Sequence, residues 1–246
     1  LNMPPLEANG KVIMDPISIW IVILLIYVYI ASTLPVQTLL QPRDFINSWQ
    51  LLVAMILLAL GVIVAHPPMA APAVRTVADA PPLLPTLFVV IACGALSGFH
   101  SLVSSGTSAK QCDHEHSALY VGYGSMLVEG MLAVFVLIAC GAGIALAGGG
   151  VEAFNSHYQS WASAAKGGLG VKLGAFVSGA TAMIDDVGVP AAVAQTLMGV
   201  FIVSFAATSL DSATRIQRYI VSELAGIFKM PALAKKHPAT LFAVGT

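Results

Sequence analysis

Charged side chains are scarce in this chain. Asp, Glu, Lys and Arg make up 9% of its 246 residues, where a water-soluble domain carries about 25%. A surface that poor in ionised groups excludes an ordinary soluble fold. The net charge of −1, with no cluster of Lys or Arg interleaved with aromatics, lacks the electrostatic footprint of a nucleic-acid binder, so no nucleic-acid partner is expected. Cysteine is scarce too. Cys93, Cys112 and Cys140 are odd in number and irregular in spacing, which excludes a disulfide framework. Cys93 and Cys140 lie inside apolar runs, where a small polarizable side chain packs well. No Ser-His-Asp or Cys-His arrangement, phosphate-binding glycine loop or HExxH pattern occurs. No catalytic residue is therefore assigned, no cofactor is expected, and the chain is not read as an enzyme.

What the chain has in abundance is apolar length. It is 57% hydrophobic with a mean hydropathy of +0.86, the composition of a bilayer protein. A helix needs about 20 apolar residues to cross the hydrocarbon. Residues 17–34, 49–65, 118–148 and 191–209 qualify. A fifth run, 83–98, is short, and it gains the missing length only if the polar stretch after it also sits at membrane depth, giving an interrupted span over 83–107. Pro67, Pro68, Pro72, Pro81 and Pro82 punctuate the connection between the second and third spans. Residues 149–188, glycine-rich with Trp161, Lys166 and Lys172, read as an extracytoplasmic connection containing a short helix that cannot cross alone. Residues 210–238 read as a cytoplasmic loop. The expected fold is one membrane domain: an all-α integral membrane protein of about five transmembrane helices, one of them interrupted.

Alternating sides gather Arg43, Lys110, Arg215, Arg218, Lys229, Lys235 and Lys236 on one face, against Lys11, Arg75, Lys166 and Lys172 on the other. The positive-inside rule makes the first group cytoplasmic. The first apolar run follows Glu7, Lys11 and Asp15 and has no small-residue cleavage site behind it, so it reads as a span and not as a secretory signal. The chain opens on Leu1 and closes on a run, 239–246, resembling the first turns of another apolar segment. It reads as a piece of a longer protein.

Within residues 98–108, Ser101, Ser104, Ser105, Thr107 and Ser108 supply hydroxyls, Gly98 and Gly106 free the backbone, and His100 adds an imidazole. In hydrocarbon, a broken helix survives only where protein or a watery cavity surrounds it, and such breaks hold solutes and ions in carriers. His100, Ser101, Ser104, Ser105, Gly106 and Thr107 are the candidate substrate- or ion-binding residues. The competing reading is a polar helix end capped by serines.

Glu129 stands near the middle of an otherwise uncharged 31-residue run, where a carboxylate is costly and faces a bundle interior or a wet cavity. At helical spacing it shares a small, polar face with Gly122, Ser125 and Ala133. It is the candidate proton-coupling group; the plainer alternative is a protonated glutamic acid bonded to a neighbouring helix. Ser204, Thr208, Asp211 and Arg215 fall on another helical face, with Asp211 and Arg215 at the favourable i, i+4 spacing. That pair is a candidate cytoplasmic gate, or an interfacial ion pair anchoring the helix end. Cys112, His114 and His116 invite a metal reading, but alternating spacing does not build a closed tetrahedral cage, and no metal ligand is assigned. Asp185 and Asp186 read as a solvated helix terminus.

Four segments together resemble the carbon starvation protein A family: Gln41-Pro42-Arg43-Asp44-Phe45-Ile46-Asn47, residues 98–110 (GFHSLVSSGTSAK), Gly122-Tyr123-Gly124-Ser125-Met126-Leu127-Val128-Glu129, and Leu210-Asp211-Ser212-Ala213-Thr214-Arg215. The likeness covers most of the chain. It implies a multi-pass secondary transporter of the bacterial inner membrane, in the amino acid-polyamine-organocation superfamily, importing peptides or pyruvate with H+ or Na+ as the coupling ion. It also implies a core of two inverted repeats, each starting with a broken helix. Residues 98–108 would be one break and its partner would lie upstream of Leu1. The implied partners are the lipid bilayer, a small carboxylate or peptide, and the remaining segments of the full-length transporter. Residues 112–116 and 149–188 depart from the family pattern and receive no role. The alternatives are a membrane-embedded metal-binding sensor or enzyme using Cys112, His114 and His116, and a non-transporting structural membrane subunit.

Overall fold

Long apolar runs bounded by prolines and glycines leave the backbone one economical solution in a bilayer, the helix, which satisfies its own hydrogen bonds. The computed structural model describes residues 6–8, 11–14, 16–74, 79–95, 98–162 and 168–245. A short antiparallel hairpin comes first, β1 (Leu6–Ala8) with β2 (Lys11–Met14). All other regular structure among the described residues is helical.

Helix α1 (Pro16–Thr33) begins on a proline, which suits a first helical position, and Pro35 follows its end. Helix α2 (Val36–Ala65) then runs for 30 residues with Pro42 inside it. Sequence reading starts this span at Trp49 and treats 35–48 as a connection; the helix in fact begins thirteen residues earlier, because the polar residues there face a buried polar cluster described below. It stops where His66 takes a positive φ and Pro67 and Pro68 follow. Helix α3 (Leu83–Ala95) is followed by α4 (Gly98–Val103). Leu96 and Ser97, the junction on which the interruption of the 83–107 span turns, lie outside the described residues.

Helix α4 continues into a π turn over Ser104–Ser108. Helix α5 (Glu115–Leu146) is a single 32-residue rod widened by π turns at Tyr120–Gly124 and Ala139–Gly143. After it come α6 (Gly150–His157), α7 (Gly168–Asp185), α8 (Ala191–Ile227) and α9 (Lys236–Gly245). The expected 149–188 connection therefore holds two helices, with 163–167 outside the described residues. The expected loop at 210–238 is corrected more sharply: α8 stays helical to Ile227.

Three helices, α2, α5 and α8, are long and apolar enough to cross a membrane, while Ile17–Thr33 of α1 and Leu83–Ala92 of α3, the latter with a non-helical backbone at Leu84, are shorter apolar helices. Two compact units share the chain: Leu1–Phe45 with Phe205–Thr246, and Ile46–Ser204. In the first, Val28 and Ala31 of α1, Leu40 of α2, Ile216 and Ala225 of α8, and Ala239 and Ala243 of α9 are buried.

The second unit is built on close backbone approach. A Cβ on Gly179 of α7 would stand 2.0 Å from the Ala139 carbonyl oxygen, and one on Gly143 would stand 2.6 Å from the Gly179 carbonyl oxygen. Only glycine allows these backbones to meet, the small-residue seam of membrane helices. The Gly141 carbonyl accepts from Ala70 N–H at 2.9 Å and from Ala71 N–H at 3.1 Å, tying the segment after α2 to the π turn. Just before α3, the Asp79 carboxylate accepts from Ala162 N–H at 2.8 Å and Trp161 N–H at 3.2 Å. The Ala162 amide does most to hold this carboxyl below the usual carboxylate range, against an opposing effect of burial and with the Trp161 amide adding to the lowering.

Candidate substrate and ion site

Serine and threonine compete for backbone groups and so widen or bend a helix instead of simply ending it. In residues 98–108 that competition produces a π turn. Ala109 N–H reaches five residues back to the Ser104 carbonyl at 2.9 Å, and Ser105 Oγ donates to the Ser101 carbonyl at 3.0 Å. The segment expected as an unwound break is thus described as helix with one widened turn, a form common at functional sites.

The π turn borders a cleft of about 440 Å³ whose polar lining includes His100, Ser104 and Ser108 from one side and Gly122, Ser125 and Glu129 of α5 from the other. Sequence reading nominates the 98–108 stretch and Glu129 separately; the fold brings them onto one cavity. It divides the first group, however. His100 and Ser104 line the cleft, whereas Ser101, Ser105, Gly106 and Thr107 do not. Glu129 and Ser125 are exposed at the cleft wall instead of being enclosed in a helix bundle. Cys112 joins the lining, but among the described residues no group of three His, Cys, Asp or Glu side chains comes together as a metal site. Asp113 instead accepts from Ser117 Oγ at 2.9 Å at the start of α5, and this bond, the first of its causes, holds its carboxyl below the ordinary value.

A second polar cluster lies in the other unit, and sequence reading finds only part of it. Asp211 is 0% exposed. Its Oδ2 accepts from Arg43 Nη1 and from the Tyr27 hydroxyl, the latter at 3.1 Å. Arg43 Nη1 also donates to the Tyr27 hydroxyl oxygen at 3.0 Å, and Arg43 Nη2 stands 3.7 Å from Asp44 Oδ1. The expected Asp211 to Arg215 pair is therefore replaced by a pair with α2. Arg215, 2% exposed, donates from Nη2 to the Ala31 carbonyl at 2.9 Å. Arg218 donates from Nη1 to the Ser32 carbonyl at 2.8 Å and stacks over the Tyr219 ring. A carboxylate buried this deeply needs a cation and hydrogen bonds together; a residue 168 positions away supplies them better than the i+4 neighbour. The sequence signal for Arg43 is its place in the QPRDFIN motif, but nothing in that motif names Asp211 or Tyr27 as its partners.

Comparison with known proteins adds a direct constraint. Residues 6–165 match the family described as carbon starvation protein CstA. The peptide transporter CstA of Mycobacterium tuberculosis (strain ATCC 25618 / H37Rv) is 42% identical over 133 residues, 51% of this chain and 17% of that protein. The pyruvate/proton symporter BtsT of Escherichia coli (strain K12) is 40% identical over 119 residues, 46% of this chain and 17% of that protein. The peptide transporter CstA of Bacillus subtilis (strain 168) is 29% identical over 244 residues, 89% of this chain and 40% of that protein. The chain thus spans less than half the length of these relatives. No solved structure matches it.

Proposed function

Since the chain belongs to the carbon starvation protein CstA family, we propose that it takes part in secondary active import of peptides or pyruvate across the bacterial inner membrane during carbon starvation, coupled to protons. Its matched relatives are named as transporters and not as enzymes. The observation that carries the reading is the single cleft onto which His100, Ser104 and Glu129 converge. It offers a hydroxyl, an imidazole and a carboxylate beside a π turn, the polar equipment for holding a small solute with its coupling ion. Glu129 is the proton site in this scheme, and transport proceeds by rocking of helices around the cleft within an inverted-repeat core.

The topology that goes with this function has α2 and α5 entering from the cytoplasm and α8 returning to it. Lys110, Lys229, Lys235 and Lys236 then mark the cytoplasmic side. Arg215 and Arg218 leave that count, since their side chains are spent on the end of α1.

Counterflow of labelled pyruvate and of trialanine in proteoliposomes is the test, run at about pH 6 and about pH 8. Glu129→Gln is expected to flatten the pH dependence of uptake, and Ser104→Ala to weaken solute binding. If both variants keep the pH-dependent uptake of the parent protein, the cleft is not the site.

A further inference from the structure

Glycine inside a helix is less favourable than alanine, because it loses more backbone freedom on folding. Gly143 of α5 has a packing reason to be glycine, since a Cβ on it would strike the Gly179 carbonyl. Gly122, in the first π turn of α5, has none: its φ is not in the left-handed region, and a Cβ added to it would meet no atom within 4 Å. Gly124 and Gly130 are equally free of contacts. What sets Gly122 apart is its place, because of the α5 glycines it is the one that lines the cleft. The room left by its missing side chain is room in the cavity.

We infer that Gly122 sets the length of solute the cleft accepts. With no side chain there, a solute extends past this point along α5; a side chain at 122 would confine the cavity to compact solutes held at its Glu129 end. The inference rests on the transport reading above and assigns the choice between long and short solutes to one residue.

The dimensions of the cleft give the limit. Gly122 lies between Ala118 and Ser125 on the wall that ends at Glu129, and the stretch from Gly122 to Glu129 covers about 10 Å at the ordinary helical rise. A fully extended chain spans at most about 3.3–3.6 Å per residue, so a solute seated against Glu129 reaches Gly122 at about three residues. Pyruvate, built on two C–C bonds of about 1.5 Å each, ends well short of it. The volume agrees. A cleft of about 440 Å³ falls in the range of about 300–1,000 Å³ that takes drug-sized ligands, much larger than a three-carbon acid.

The facing wall also suits an extended chain. Ser104 and Ser108 both line the cleft, one at each end of the same π turn, and at that i, i+4 spacing they stand about 6 Å apart along the axis. Groups on one side of an extended peptide recur at about 6.7 Å. A serine hydroxyl both donates and accepts a hydrogen bond, which matches a backbone carrying N–H and C=O groups alike. Val103, Val121 and Met126 add apolar surface to the lining, suited to small side chains of the solute.

Counterflow in proteoliposomes with labelled pyruvate, dialanine and trialanine measures the limit. The parent protein is expected to carry trialanine and at least one of the two shorter probes. Gly122→Val should lower kcat/KM for trialanine about tenfold or more and leave the shorter probes within about twofold. Gly124→Val puts the same side chain into the same π turn outside the cleft and should leave every probe unchanged. Gly122→Ala, which favours the helix, should shift selectivity in the same direction by less, so the comparison holds even if Gly122→Val does not fold. Equal loss of long and short probes in the Gly122 variants, no loss of trialanine in either, or the same selective loss in Gly124→Val overturns the proposal while leaving transport standing. So does a parent protein that carries only trialanine or only the shorter probes. Absence of counterflow for every probe overturns the transport reading itself.

Discussion

Arg215 closes the end of α1, its Nη2 lying 2.9 Å from the carbonyl oxygen of Ala31. The last four carbonyls of any helix lack intrahelical partners, and this one meets the shortage with side chains from α8: Arg215 on Ala31 and Arg218 on Ser32. The two positive charges also oppose the negative pole of the α1 dipole.

Removing the first of these caps should be costly. A hydrogen bond to a charged donor contributes about 1.5–3 kcal/mol, so Arg215→Met, which preserves much of the packing stem, is expected to destabilise the protein by about 2 kcal/mol. Unfolding in a denaturing detergent series measures it. Lys229→Met, on an exposed residue just beyond α8, should leave the midpoint unchanged.

The seam between α5 and α7 makes a contrasting pair of glycines. Gly179→Ala drives a methyl group into the Ala139 carbonyl and should cost about 1–3 kcal/mol or more by overpacking. Gly174→Ala, on the same helix with nothing within 4 Å of its would-be Cβ, should be neutral or stabilise by up to about 1 kcal/mol. Thermal unfolding of the two variants side by side checks the seam.

Adjacent serines of the π turn are expected to behave differently. Ser104 lines the cleft, while the Ser105 hydroxyl is already engaged by the Ser101 carbonyl. Uptake in proteoliposomes should fall in Ser104→Ala and stay near the parent level in Ser105→Ala. The reverse order would move the solute to the other side of the turn.

Acid should release the Asp79 clasp. The folded carboxyl is depressed by the Ala162 and Trp161 amides, so its stabilising effect is complete above the unfolded value of about 3.9 and disappears as pH falls through the lower folded value. Fluorescence of a variant keeping only Trp161 should be flat from neutral pH down to about 4 and change below it. Asp79→Asn should already differ from the parent at neutral pH and lose the acid transition.

The sequence makes the apolar backbone of this fold legible, and the reason for what it hides is physical. Residues 17–34 correspond closely to α1, because lipid-facing Ile and Leu dominate it. Residues 35–48 and 210–227 read as loops because Gln41, Arg43, Asp44, Asp211, Arg215 and Arg218 lower their hydropathy. Yet Asp211, Arg215 and Arg218 are buried, and a hydropathy window cannot tell a polar face turned toward a partner helix from one turned toward water. The i, i+4 rule has a related blind spot. It pairs Asp211 with Arg215 because local spacing is all it sees, whereas burial rewards the distant Arg43 with its attendant Tyr27. At the cleft, composition identifies both walls but cannot say that they meet, nor which hydroxyls of the π turn look inward.

The widened turns of α5 give that helix a property its length alone would not. A helix advances by about 100° per residue, so one surplus residue at Tyr120–Gly124 or Ala139–Gly143 re-phases everything beyond it. Glu129 sits between the two turns and Gly143 within the second, so the azimuth of the cleft wall and that of the glycine seam are set separately. Removing one residue between Glu129 and Gly143, within the second turn, would swivel Glu129 by about 100° relative to the Gly143 and Gly179 junction. One rod therefore carries two surfaces that selection can aim independently.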